Sequence, residues 1–258
     1  MASLLRISKF RIRKPYGFSI YLGKRRRLIL KNTSKSNLRN SYILSSIMVI
    51  CFIIFTILVA TVDVRPVGEY GSVVGFADFN ETFYNMIGFN ATMYKISKYL
   101  GYLALALVAV WGCVGLMQLI KGKSLKKVDN KLFVLCGLYA AMLVVYVLFE
   151  KVVINLRPVI VDAEEGLEAS YPSSHTMLSI VVCMSSIVLY NVYIKNKNMR
   201  LMATIATVVL MVLIVATRFL SGAHWATDIV GALFASSMLF SLFGLALNIN
   251  KDKISPEL

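Results

Sequence analysis

The chain has 258 residues, is 58% hydrophobic and has a mean hydropathy of +0.71, far too apolar for an ordinary soluble domain. Its formal net charge is +15, but the basic residues are placed as in a membrane protein, and a nucleic-acid partner is excluded. Four cysteines, Cys51, Cys113, Cys136 and Cys183, lie in apolar stretches without CxxC spacing, which argues against a zinc site or a disulfide framework.

Residues 1–40 form a basic N-terminal segment with 12 Lys and Arg and no acid, including Lys24-Arg25-Arg26-Arg27. No apolar h-region follows within signal-peptide distance, so the segment does not read as a cleaved export signal. A polybasic stretch beside a span is drawn to anionic lipid by about 1 kcal/mol per basic residue near the surface.

Six charge-free stretches follow: Ser41–Val62, Tyr99–Ile120, Leu132–Phe149, Thr176–Ile194, Leu201–Thr217 and Ile229–Asn250. Each is near the roughly 17–25 residues that a helix needs to cross the hydrocarbon core. Backbone polar groups in lipid must be satisfied internally, so the expected architecture is all-α and polytopic, with six transmembrane helices. Residues 41–250 then make one membrane domain, and 251–258 a short tail. With six spans, one side of the membrane holds 22 Lys and Arg and the other holds 6, while the acids divide 3 to 10. The positive-inside rule puts both termini in the cytoplasm.

The first outer loop, Asp63–Lys98, is long and aromatic, with Tyr70, Phe76, Phe79, Phe83, Tyr84, Phe89 and Tyr94. Gly88 divides it. Such residues suit an interfacial helix anchored at the membrane surface, or one wall of a lipid entrance. Asn80-Glu81-Thr82 and Asn90-Ala91-Thr92 match the short glycosylation sequon, a pattern common by chance. The second outer loop carries Asp162, Glu164, Glu165 and Glu168, whose spacing does not match a calcium loop and reads as a solvated acidic rim.

Three polar clusters stand at the outer ends of the spans. Lys151 and Arg157 follow the third, Pro172-Ser173-Ser174-His175 open the fourth, Thr217-Arg218 close the fifth, and His224 and Asp228 open the sixth. Ionisable residues at membrane depth are costly and point to function. Arg157 and Arg218 offer planar forks that match phosphate oxygens, and Lys151 adds a compact charge. Ser173 and Ser174 sit at a helix start, where free N–H groups favour an anion. His224 and Asp228, four residues apart, are expected on one helix face, with the carboxylate fixing the tautomer and turning the other nitrogen outward. That orients His224 as a nucleophile toward phosphorus, with His175 supplying a proton to the leaving alkoxide.

These clusters resemble the signature of the type 2 phosphatidic acid phosphatase superfamily, which also includes vanadium haloperoxidases. Its usual patterns are K-x6-R-P, P-S-G-H and S-R-x5-H-x3-D. Pro172-Ser173-Ser174-His175 and Thr217-Arg218-x5-His224-x3-Asp228 match nearly throughout. Ser174 replaces glycine, Thr217 replaces serine, and Lys151 lies six residues before Arg157 where the pattern has seven, leaving Glu150 at the lysine position. The resemblance implies a metal-independent and cofactor-free reaction through a phosphohistidine on His224, with His175 as acid and then base. Lys151, Arg157, Ser173, Ser174 and Arg218 would hold the phosphate. Six residues advance about 600° along a helix and leave positions six apart misaligned, but Pro158 disfavours helical geometry at Arg157 and a local unwinding is expected to restore the lysine's approach.

The leading expectation is an integral membrane phosphatase acting on a lipid phosphate or pyrophosphate at the outer face. Phosphatidic acid, phosphatidylglycerol phosphate and undecaprenyl pyrophosphate are the candidate substrates, and a bacterial cytoplasmic membrane the expected location. A lipid phosphotransferase would use the same residues and differ only in the acceptor. A transporter or channel would place its polar residues near the midplane rather than at one edge. The sequence leaves the oligomeric state open.

Overall fold

The computed structural model describes the backbone of residues 16–164 and 166–254, and the side chains of 36–164 and 166–250. The first fifteen residues, the side chains of the basic run at 24–27, Glu165 and the side chains of the tail at 251–258 lie outside the described residues. Among the described residues there are seven α-helices and one hairpin: α1 (Tyr16–Thr61), β1 (Arg65–Val67), β2 (Ser72–Val74), α2 (Ala77–Ile87), α3 (Ala91–Gly122), α4 (Asn130–Lys151), α5 (Ser174–Tyr193), α6 (Lys197–Leu220) and α7 (Ala226–Ile254). One 3-10 turn, Leu125–Lys127, joins α3 to α4.

Six of these helices are long and apolar enough to cross a membrane: Ser36–Thr61 within α1, then α3, α4, α5, α6 and Ala226–Asn250 within α7. They coincide with the six charge-free stretches, and the chain is a polytopic, all-α membrane protein. Polar caps mark where helices begin. Asn90 accepts the Met93 N–H at 3.0 Å to open α3, Asp129 accepts the Lys131 N–H at 3.0 Å for α4, and Asn196 accepts the Asn198 and Met199 N–H groups for α6. Each satisfies backbone donors that a helix start leaves free. Helix α1 runs unbroken through residue 40, where the composition changes from basic to apolar.

Helix α5 is the centre of the bundle. Over its apolar window 56% of the residues are buried, against 11–39% for the other spans, and it packs against α3, α6 and α7. Its buried face mixes the small polar residues Thr176, Ser179, Ser185 and Ser186 with the apolar Met177, Val181, Val182 and Leu189. Ser179 and Ser185 hydroxyls bond back to carbonyls of their own helix, and Ser186 accepts the Trp111 indole N–H at 2.9 Å. Small side chains let membrane helices approach closely, where packing rather than water exclusion holds them. The outer surfaces of α1, α4 and α6 expose Ile53, Ile54, Val144 and Val212, as expected of surfaces that meet lipid.

Tyr171, in the loop before α5, joins α1, α4 and α7 beside the cleft. Its hydroxyl lies 2.9 Å from Thr56 Oγ1, and its ring sits edge-on to Phe149. Gly231 supplies the room, since a Cβ there would fall 2.3 Å from the ring. Burial pushes the Tyr171 phenol up, so it stays neutral and available for that hydrogen bond.

The connections α1–α3, α4–α5 and α6–α7 meet at one end of the bundle. The hairpin was not expected from the sequence, and it carries the α4–α5 loop: Leu156 N–H donates to Val73 O at 3.0 Å. Helix α2 is the expected helical piece of the aromatic loop, and Gly88 ends it. The aromatic residues divide between the two expected roles. Tyr70, Phe79 and Phe89 are exposed, while Tyr84 packs on Trp225 and Phe83 on Phe219. Gly222 presses against Gly88, with φ +61° and a Cβ position 2.0 Å from Gly88 O. Only glycine fits that crossing. Of the two sequons, Asn80 is fully buried and hydrogen-bonded, so the folded chain cannot present it to a glycosylating enzyme, and Asn90 is occupied as a helix cap.

Candidate active site

At this end the two histidines and two arginines come together. His224 is buried in the short Ser221–Trp225 connection, between the end of α6 and the start of α7. Its Nε2 lies 3.0 Å from Arg218 Nη2, and its Nδ1 lies 3.1 Å from the Ser170 carbonyl and 3.5 Å from Asp228 Oδ2. A guanidinium can only donate, so Nε2 carries the lone pair and the ring proton sits on Nδ1, facing the carbonyl and the carboxylate. Burial holds the His224 imidazole well below its ordinary pKa, and the cations Arg218 and Arg157, with His175, add to that. The ring is therefore neutral, with Nε2 as its free base.

The expected helix face shared by His224 and Asp228 is not how the pair is built. His224 precedes α7, and Asp228 sits in the helix's first turn, where its Oδ2 reaches back to accept the Trp225 N–H at 3.0 Å. This is the acidic half of a capping box. The same carboxylate thus starts the helix and stands beside Nδ1, while the Ser170 carbonyl takes the shorter contact. Asp228 Oδ1 accepts from Asn155 Nδ2 at 2.7 Å.

Arg218, the last basic residue of α6, is fully buried. Besides His224 it reaches Ser97 Oγ at 3.5 Å, and its guanidinium carbon lies 5.0 Å from the centre of the Tyr94 ring, so α3 supplies a cation–π floor. Its Nε has no partner. Arg157 follows α4; its Nε stands 2.9 Å from Glu168 Oε2 as an ion pair without hydrogen-bond alignment, and its Nη1 is buried without a partner. His175 lies in the first turn of α5, its ring edge against Gly101 of α3, with Nδ1 also unpartnered. Buried donors in native proteins are rarely left unpaired. Here two guanidinium N–H groups and an imidazole nitrogen share that condition around one imidazole, a donor set suited to an anion such as phosphate.

The small cleft in front of His224 is lined by Arg157, Ser170, Tyr171, Ser174, Tyr146 and Glu150, among others. Ser174, half-buried, brings the start of α5 to the cleft, the helix start that the sequence suggested. Ser173 is placed differently: its N–H donates to the Asp228 carbonyl at 3.1 Å and its hydroxyl to Thr176 Oγ1 at 3.1 Å. It ties α5 to α7 with both donors committed.

Lys151 does not come to the cleft. It ends α4 exposed to solvent, and Glu150 lines the cleft instead. The chain does leave helical geometry before Arg157, as Pro158 suggested, but it does so only after Lys151. The lysine therefore keeps its helical bearing, about 100° from that of Glu150. Sequence reading also missed Asn155, Ser170, Ser97 and Tyr94. The first lies in the Lys151–Pro158 stretch, and its signal was a lone amide in an otherwise apolar run.

Comparison with known proteins agrees with the motifs. The PAP2 superfamily profile matches residues 130–251, the stretch from the start of α4 to the end of the last span, so the resemblance read from the sequence is borne out. No curated protein matches the chain. Among solved structures, the crystal structure of the first transmembrane PAP2 type phosphatidylglycerolphosphate phosphatase from Bacillus subtilis superposes with a TM-score of 0.56 at 14% identity, covering 83% of this chain and 98% of that one. That likeness is one of fold.

Proposed function

We propose that the protein is a membrane phosphatase that hydrolyses lipid phosphate or pyrophosphate monoesters through a phosphohistidine on His224. The observation that carries this reading is a neutral, buried imidazole whose Nε2 lone pair faces Arg218 Nη2, ringed by unpartnered donors of Arg157 and Arg218. A phosphate entering the cleft offers its oxygens to both guanidinium groups and to the N–H groups at the start of α5. Arg218 then exchanges Nε2 for phosphate oxygen and frees the lone pair.

In the first step the Nε2–P bond forms as the ester P–O bond breaks, and His175, which takes up a proton once the bound phosphate offsets the charge of Arg157 and Arg218, gives the leaving alkoxide that proton. In the second, water loses a proton to His175 as its oxygen attacks phosphorus. The P–N bond breaks, the electron pair returns to Nε2 and phosphate departs. The two arginines carry the charge that develops on the equatorial oxygens, the role of a preorganised electrostatic clamp. On this reading no metal ion is required.

The charge asymmetry supports placing both termini in the cytoplasm and the cleft on the outer face, where a head group reaches His224 while its tails stay in the bilayer. Phosphatidic acid, undecaprenyl pyrophosphate and phosphatidylglycerol phosphate, the class named for the Bacillus subtilis structure, are the substrates to try. The test is phosphate release from these lipids in detergent with EDTA, by wild type and His224→Ala. Release by the wild type alone supports the reading. Release by folded His224→Ala at a similar rate, or by neither on any lipid, overturns it.

A further inference from the structure

We infer that Asn155 is a positioning residue for the nucleophile, holding Asp228 in place and joining the outer hairpin to the reaction centre. The inference rests on the proposed role of His224. Asn155 is fully buried, in the irregular stretch between α4 and Arg157. Its Oδ1 accepts the Gly75 N–H at 3.1 Å, which settles which end of the amide is the acceptor. Its Nδ2 is thereby turned toward α7, donating to Asp228 Oδ1 at 2.7 Å and lying 3.3 Å from Thr227 Oγ1. The backbone of the same residue continues the chain of contacts. Asn155 O accepts both the Ser170 N–H at 2.9 Å and the Ser170 hydroxyl at 3.2 Å, and the Ser170 carbonyl is the group nearest His224 Nδ1.

Asn155 therefore supports both acceptors that face Nδ1, one through its side chain and one through its backbone. A carboxylate with two oxygens to rotate needs both fixed if it is to stand beside an imidazole. Trp225 N–H fixes Oδ2 and Asn155 fixes Oδ1. Outer-sphere partners of this kind orient a histidine and its acceptor. The hairpin has little freedom to release its hold. Gly75 lies against Val59, where a Cβ would fall 1.7 Å from the carbonyl oxygen, and Asn80 clamps the same corner by donating to Gly75 O and Thr227 Oγ1 and accepting the Thr227 N–H.

A double-mutant cycle separates positioning from mere support of the fold. The residue's side chain acts through Asp228, so its removal should matter only while Asp228 is present. We expect Asn155→Ala to lower kcat about 10- to 100-fold with KM within about threefold of wild type, in keeping with outer-shell substitutions. In an Asp228→Asn background the same change should cost less than about threefold. Asn155→Asp keeps the acceptor for Gly75 N–H and nearly the same volume, so it tests the lost donor where the alanine variant is unstable; it should lose as much kcat as Asn155→Ala. Equal losses in the two backgrounds, or full activity of either single variant, would overturn the inference while wild-type turnover and its dependence on His224 leave the phosphatase reading intact. An inactive wild type would instead sink that reading.

Discussion

Arg218 Nη2 stands 3.0 Å from His224 Nε2, and this contact sets which ring nitrogen of the candidate nucleophile carries the lone pair. A guanidinium has no lone pair to offer, so the imidazole must present its own. The same cation that would hold a phosphate oxygen thus prepares the base before any substrate arrives.

Arg218 should accordingly be irreplaceable by lysine. An ammonium keeps the charge but loses the planar fork that touches His224, Ser97 and the Tyr94 face together. We expect Arg218→Lys to reduce kcat/KM by about 10²-fold or more, the size typical of removing a preorganised donor from a reacting oxyanion. Steady-state kinetics on a lipid phosphate in mixed micelles measure it, and a loss under about fivefold would show that the charge alone suffices.

The Glu150 and Lys151 pair offers an opposite pattern. Glu150 lines the cleft and Lys151 points elsewhere, so Lys151→Ala should leave KM within about twofold of wild type, as expected for an exposed charge in high dielectric. Glu150→Gln should lower KM, because a carboxylate beside an incoming phosphate repels it. A large rise in KM for Lys151→Ala would show that the lysine swings into the site when substrate binds.

The buried, neutral His224 makes a prediction about stability. Its pKa in the folded chain is held well below 6.5, whereas in the unfolded chain it is free to protonate near that value. The folded state therefore binds fewer protons, and this contribution, fully present above pH 6.5, is lost as pH falls toward the folded value. The loss approaches about 1.4 kcal/mol per pH unit once the unfolded chain is protonated and the folded one is not. Thermal unfolding in detergent between pH 7.5 and 5 should show Tm falling for wild type and falling less steeply for His224→Gln. Parallel curves would contradict the assignment.

How the chain lies in the membrane can be tested by labelling. In a background without native cysteines, Glu164→Cys and Lys126→Cys mark opposite ends of the bundle. A membrane-impermeant maleimide applied to intact spheroplasts should label the first and spare the second, as the 22-to-6 division of basic residues requires. The reverse result would put the cleft, and its substrate, on the inner face.

The spans were legible because hydrocarbon allows so few solutions: a charge-free run of about 20 residues has to be a helix. Ser174, Arg218 and both histidines were legible for a related reason, since polar residues at span ends are costly enough to be conspicuous. What the sequence hid depends on contacts across the chain. The β1–β2 hairpin has only three residues per strand, too few for an alternating pattern, and its role emerges through Leu156 and Asn155, some 80 residues away. Asp228 was expected to face His224 along a helix, yet it bonds back to Trp225, because the helix needs an acceptor for its first N–H groups. Lys151 stands outside the cleft because α4 unwinds only after it, and nothing local in the sequence says whether a helix unwinds one residue before or after such a lysine.

The most direct test of the central claim is rapid-quench trapping with a phosphorus-32-labelled lipid phosphate. The account predicts a burst of labelled protein whose phosphoryl bond survives base and breaks in acid, with the label mapping to His224 and absent from His224→Ala. Turnover without a labelled intermediate on the quench timescale, or a label on any other residue, would contradict it.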